Sequence, residues 1–163
     1  MTELPKRIHP RMKNYDYSEN GLYFLTVCVK DKSKRLCEIV GRDVPDAPKI
    51  LLSSVGKIVE KYIYSINNVE NVSVEKFVIM PDHIHLLLFV NNPDGASRTS
   101  RPTHSLISRT ISGFKRLCNK ELGENIWQTS FFDHIIRNEK DYITHYRYIE
   151  NNPVMWVLKK HEI

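Results

Sequence analysis

The chain has 163 residues, the length of one domain with room for a real core, and 41% hydrophobic with 26% charged residues exclude a wholly disordered polymer. No apolar run approaches the roughly 20 residues needed to cross a bilayer, and the polar, basic first eleven residues do not read as a secretory signal. Twenty-four Lys/Arg against nineteen Asp/Glu give a net charge of +5, and the three scattered cysteines, Cys28, Cys37 and Cys118, imply reduced thiols in a cytoplasmic protein.

Residues 1–20 read as a basic arm carrying Lys6, Arg7, Arg11 and Lys13, with prolines at 5 and 10. Residues 22–29 are aromatic and β-branched and predict a strand. A charged turn at 31–35 leads to a short strand over 36–40 and a loop over 42–48 with two prolines. Ser53 is placed to cap a helix in which Val55, Ile58, Val59, Tyr62, Ile63 and Ile66 recur at helical spacing, and Asn67-Asn68 stops it.

The most informative stretch spans residues 72–90. Two β-rich runs, 77–80 and 86–90, flank a Pro81-Asp82 turn signal, the pattern of a hairpin. His83 and His85 open its second strand. Side chains alternate along a strand, so the two imidazoles share a face and Ile84 points to the other. Such a pair can grip a cation or simply line a solvated strand face. Two ligands do not complete a site, so the metal reading requires a third oxygen or nitrogen elsewhere.

Residues 91–103, rich in Pro, Gly, Ser and Thr, read as a mobile linker. Ser105 is a candidate cap for a helix with the apolar stripe Leu106, Ile107, Ile111, Phe114, Leu117 and Cys118. That stripe leaves Arg109, Lys115, Arg116 and Lys120 largely outside. Residues 98–120 hold six Lys/Arg and no acid. Segregated positive charge suits a phosphate-rich partner, although it also solubilises a surface.

After a break at 123–125, the aromatic segment 126–136 predicts a last strand, and a final helix runs from about 139 to 151, stopped near Asn152-Pro153. On that helix Asp141, His145, Tyr148 and Asn152 stand four, three and four residues apart, on one face. Tyr142, Ile143, Tyr146 and Ile149 form the expected core side. If the first face looks at the histidine pair, Asn152 offers an amide oxygen to a metal and Tyr148 stands one turn away. The plainer reading has Asn152 as a helix terminator and Tyr148 as a surface or half-buried helix tyrosine. The order β, α, β, β, α, (β), α predicts an α+β, ferredoxin-like sandwich. Its antiparallel sheet carries helices packed mainly on one face, and the C-terminal helix carries the tyrosine.

The run Met80-Pro81-Asp82-His83-Ile84-His85 resembles the Met-Pro-Asn-His-hydrophobe-His motif of single-tyrosine HUH transposases. Tyr148-Ile149-Glu150-Asn151-Asn152-Pro153 is similar to their C-terminal Tyr-Ile-x-x-Asn-Pro motif, and the nearest branch is the REP-associated tyrosine transposases. The likeness also takes in residues 14–18 with the strand after them, and Trp127-Gln128 through Glu139.

The resemblance implies one HUH domain over residues 1–163 that cleaves and rejoins single-stranded, hairpin-bearing DNA. Tyr148 would attack to leave a 5′-phosphotyrosine. His83, His85 and Asn152 would bind a divalent metal, magnesium or manganese, with no nucleotide cofactor. Lys6, Arg7, Arg11, Arg109, Lys115, Arg116 and Lys120 would hold phosphates. Tyr15, Tyr17, Trp127, Phe131 and Phe132 are candidates to stack on unpaired bases. A homodimer, with the tyrosine serving its own or a partner's site, is compatible. Two departures stand out: Asp82 replaces the usual Asn, and Thr129 occupies a position often held by Arg. Two rivals remain open at this point: a small hydrolase using a metal-bound water, and a non-catalytic nucleic-acid-binding module.

Overall fold

The computed structural model describes residues 21–33, 35–41, 48–91 and 103–161. The elements are β1 (Gly21–Cys28), β2 (Cys37–Val40), β3 (Lys49–Leu52), α1 (Ser54–Ser65) with a 3-10 turn at Ile66–Asn68, β4 (Val72–Ile79), β5 (His83–Val90), α2 (Thr103–Leu122), β6 (Phe132–Ile135) and α3 (Glu139–His161). The main sheet has the order β4-β5-β1-β6, with every neighbour antiparallel. With the separate β2–β3 hairpin set aside, β1-α1-β4-β5-α2-β6 in that order is the ferredoxin-like arrangement. The α+β fold matches the sequence expectation.

Strand alternation divides the interior into two layers. Tyr23, Leu25 and Val27 of β1, with Ile84, Leu86 and Leu88 of β5, pack against Val59 and Ile63 of α1 and Ile107, Ile111 and Phe114 of α2. Phe24 and Leu87 point the other way and join Val78, Met80 and Ile149 of α3. Two helices therefore cover one face and α3 covers the opposite one. His83 and His85 are in phase with Leu87, so both belong to the α3 face.

Local signals set several boundaries. Ser53 caps α1, its Oγ accepting from the Gly56 N–H at 3.0 Å. Gly123 follows α2 at φ +73°, a backbone conformation glycine takes without Cβ strain. Other expectations need correction. The strand β3 lies in a segment that carried no assignment. α2 starts at Thr103, so Ser105 is inside the helix rather than capping it. Leu117 and Ile143 are exposed, because the buried phases run through Ile107, Ile111, Phe114 and Cys118 on α2 and through Ile149 and Pro153 on α3.

α3 also continues through Pro153 to His161 instead of stopping. A proline inside a helix removes one hydrogen bond and typically costs about 3 kcal/mol. Here Pro153 is buried and Trp156, one turn on, packs into the α3-side core, which offsets that loss. The arm 1–20, loop residues 42–47 and most of the expected linker lie outside the described residues. Among the described residues no helix is long and apolar enough to cross a membrane.

Candidate active site

The turn over Met80–Asp82 delivers β5 with its histidines leading. Met80 N–H donates to His83 O at 2.8 Å, while the Pro81 and Asp82 carbonyls accept from Leu36 N–H and Val29 N–H, both at 2.9 Å. The turn is thus tied to two neighbouring segments. From it His83 and His85 bring their Nε2 atoms to 3.1 Å of each other. Their outer nitrogens are engaged as well. His83 Nδ1 lies 2.7 Å from Asp82 Oδ1, and His85 Nδ1 lies 2.9 Å from Thr26 Oγ1.

These partners define the protonation. The hydrogen bond from His83, outweighing burial, holds the Asp82 carboxyl below its usual range, so Asp82 accepts and His83 Nδ1 carries the hydrogen. Burial, aided by the nearby His83, pushes His85 down to about 3, so its ring is neutral at physiological pH. Two nitrogen lone pairs facing each other at 3.1 Å need a positive centre between them, either a proton or a cation. The Thr26 hydroxyl can donate to His85 Nδ1 or accept from it, and so serves either state.

The tyrosine helix meets this pair on the same face. The Tyr148 ring centroid is 5.2 Å from that of His85 in an edge-on contact, and Phe24 touches both, at 5.8 Å from Tyr148 and 5.2 Å from His85. Tyr148 is half-buried at the margin of the α3-side core. Asn152 follows one turn later, also half-buried. Trp156 comes within 6.4 Å of His83, ring centroid to ring centroid. The sequence reading placed neither Trp156 nor Thr26. Trp156 stood beyond the proline assumed to end the helix, and Thr26 becomes visible only once β1 is paired with β5.

A second polar group lies on the same face. His134 of β6 and Asp141 and His145 of α3 offer ligand-type atoms all within 4.8 Å of one another. The sequence reading gave His134 no role and placed Asp141 and His145 only as members of the Tyr148 face, although the four-residue step from Asp141 to His145 was a signal.

The basic residues divide. Lys6, Arg7 and Arg11, and with them Tyr15 and Tyr17, lie outside the described residues. Arg109, Arg116 and Lys120 are exposed on α2. Lys115 instead points its ammonium at main-chain carbonyls, donating to Gln128 O at 2.7 Å and Ser130 O at 3.2 Å. Arg116 and Lys120 line a cleft of about 720 Å³ with Asn119, Gln128 and Thr129. Of the aromatics, Trp127 is buried against Phe114, Phe131 packs on the core, and Phe132 is exposed on β6.

Residues 47–152 match the family model described as "Transposase IS200 like". A Haemophilus influenzae protein named "Putative REP-associated tyrosine transposase" is 31% identical over 150 residues, covering 88% of this chain and 77% of its own. The REP-associated tyrosine transposase of Escherichia coli is 26% identical over 143 residues, covering 86% and 72%. The solved structure of a REP-associated tyrosine transposase bound to a REP hairpin superposes with a TM-score of 0.63. It covers 90% of this chain and 74% of that one at 24% identity. The chain belongs to the IS200-like transposase family, on the branch of the REP-associated tyrosine transposases.

Proposed function

We propose that this protein cleaves and rejoins single-stranded DNA through a covalent tyrosine link, and that Tyr148 is the nucleophile at a divalent-metal site built on His83 and His85. The observation that carries this reading is the edge-on contact of the Tyr148 and His85 rings at 5.2 Å, beside two facing Nε2 atoms. The two Nε2 atoms, 3.1 Å apart, are neutral imidazole donors of the kind that suit a divalent ion and stand close enough for one ion to be shared by both. The two imidazoles would hold a divalent cation, and the Asn152 amide oxygen would be the third protein ligand. When bound, the ion neutralises charge on the scissile phosphate and makes its phosphorus a better electrophile.

The chain's own residues do the rest. Asp82 and Thr26 hold the imidazoles in the orientation that points both Nε2 atoms inward. Tyr148 Oη attacks phosphorus and releases its proton, while the 3′ oxygen leaves and is protonated. One phosphodiester is exchanged for another, so the reverse attack by a 3′-OH reseals the strand without a nucleotide cofactor. Arg109, Arg116 and Lys120, exposed on α2 across the sheet from the histidine pair, would hold phosphates away from the scissile one, and such contacts orient the strand more than they read its sequence. The relative solved with a REP hairpin supports a hairpin-bearing substrate here as well.

The test is incubation with a labelled, hairpin-bearing single-stranded oligonucleotide and manganese, followed by denaturing electrophoresis. A protease-sensitive protein–DNA adduct that vanishes with chelator is expected. Scission with no adduct would point to a metal-bound water as the attacking group. DNA binding with no scission would reduce the protein to a binding module.

Two further outcomes follow from the same geometry. Asp82→Asn keeps a hydrogen-bond acceptor for His83 but loses the charge, and should weaken manganese binding about 10-fold in calorimetry. Replacing both Arg116 and Lys120 with alanine removes two phosphate contacts. It should flatten the salt dependence of single-strand binding by about 1.4 in log–log slope.

A further inference from the structure

The tyrosine sits on a helix whose first half has little apolar grip. Over residues 139–148, Glu139, Lys140, Ile143, Thr144 and Arg147 are exposed, and Tyr142 and Tyr146 are only partly buried. Ile149 is the first fully buried side chain of α3. Polar contacts therefore add to the partial packing of Tyr142, Tyr146 and Tyr148 on the α3-side core in holding this segment on the sheet.

The polar contacts there converge on Asp141. His134 Nε2, on β6, lies 2.9 Å from Asp141 Oδ2 and 3.1 Å from Oδ1. The Arg137 N–H donates to Oδ2 at 3.0 Å, and His145 Nδ1 lies 3.0 Å from Oδ1 and 2.9 Å from the Asp141 carbonyl. Asn138 caps the helix by accepting from Asp141 N–H at 2.9 Å. One carboxylate thus ties the edge strand, the helix start and the next helical turn together. The His145 ring it holds lies on Phe24, centroids 4.8 Å apart, and Phe24 is the residue that touches both Tyr148 and His85.

The same three side chains have the composition of a cation site, but their geometry is wrong for one. The His134 and His145 rings are stacked, 4.4 Å apart and within 18° of parallel. Nitrogen lone pairs lie in the ring plane, so two nearly parallel rings do not aim at one ion.

We infer that Asp141 is a positioning residue for the transfer reaction: by clasping His134 and His145 it fixes the register of α3 on the sheet and the approach of the Tyr148 phenol to the histidine pair. This inference rests on the tyrosine reading above. Lys76 supplies a complementary hold on either side of the tyrosine, 3.9 Å over the Tyr146 ring and 3.0 Å from Glu150 Oε1.

The experiment compares full-length wild type, Asp141→Leu, Asp141→Asn and His134→Gln in single-turnover adduct formation at saturating oligonucleotide and manganese. Oligonucleotide affinity, manganese stoichiometry and thermal melting are measured alongside. A small displacement of a reacting group costs up to about 100-fold in rate. Asp141→Leu is expected to slow adduct formation about 10- to 100-fold, with oligonucleotide and manganese affinities within about twofold of wild type.

Asp141→Asn, which keeps one accepting oxygen, and His134→Gln, which keeps a donor, should recover part of the rate. A folded Asp141→Leu protein reacting within twofold of wild type would overturn the inference. So would a rate and a DNA affinity that fall together with the folded fraction and are not rescued by the conservative variants. A second manganese per chain, lost in Asp141→Leu, would show a cation site instead. A wild-type protein that forms no adduct would remove the underlying tyrosine reading, a result separate from the variant comparison.

Discussion

Tyr148→Phe should abolish the covalent protein–DNA adduct, a loss of about 1,000-fold or more, while single-strand binding persists at wild-type affinity. The substitution removes one oxygen and leaves the ring. Its contacts with Phe24 at 5.8 Å and His85 at 5.2 Å survive, so the fold and the histidine pair stay in place. Circular dichroism, manganese calorimetry and gel detection of the adduct together check this. An adduct of undiminished yield would remove Tyr148 from the nucleophile's role.

The same geometry makes a prediction about mixing. Phenol and imidazoles meet on one polypeptide, so combining Tyr148→Phe with His85→Ala protein should not restore adduct formation. Restored adduct would mean that the helix is delivered to a partner's sheet.

Gly56→Ala should be the most damaging small substitution for stability. A Cβ at Gly56 would lie 1.9 Å from the main-chain oxygen of Leu36 and 2.9 Å from its carbonyl carbon, so the backbone itself must move. That segment is pinned: Leu36 O accepts from Ser53 N–H at 3.0 Å and from Ser53 Oγ at 2.9 Å. Forcing it aside also strains the Leu36 N–H to Pro81 O bond at the turn that precedes His83. Overpacking typically costs about 1–3 kcal/mol, and a clash with backbone belongs at or above the upper end. At roughly 2–4 °C per kcal/mol for a chain of this size, melting should fall by about 10 °C. Manganese affinity should fall with it, because the turn and the first imidazole move together.

Much of the architecture was legible because the sequence is locally consistent with it. The β4–β5 hairpin announces itself through two apolar runs around Pro81-Asp82, and alternation alone puts His83 and His85 on one face. Ser53 fixes the start of α1, and the four-three-four spacing on α3 groups Asp141, His145, Tyr148 and Asn152. The shared face suggested Tyr148 and Asn152 as partners of the histidine pair, and the resemblance to HUH transposases made the one a candidate nucleophile and the other a candidate ligand.

What could not be read depended on tertiary packing. The four residues of β3 lie between Pro48 and Ser53 and pair only because β2 is beside them. Pro153 signals a helix end locally, yet its own burial and that of Trp156 carry α3 onward. Ile143 has a core residue's chemistry, but lies one position off the buried phase of the helix. Thr26 acquires meaning as an imidazole partner only through the pairing of β1 with β5, whereas Asp82 stands beside His83 in the chain itself.

β5 is hydrogen-bonded on both sides, to β4 and to β1, while α3 rests on the outer surface of that sheet and its Tyr148-bearing half is fastened in good part by polar contacts. The two halves of the proposed centre therefore belong to units of unequal local stability. If Tyr148 is the nucleophile proposed above, detachment of the helix would disarm the protein reversibly while the imidazole pair stayed assembled and the sheet stayed folded.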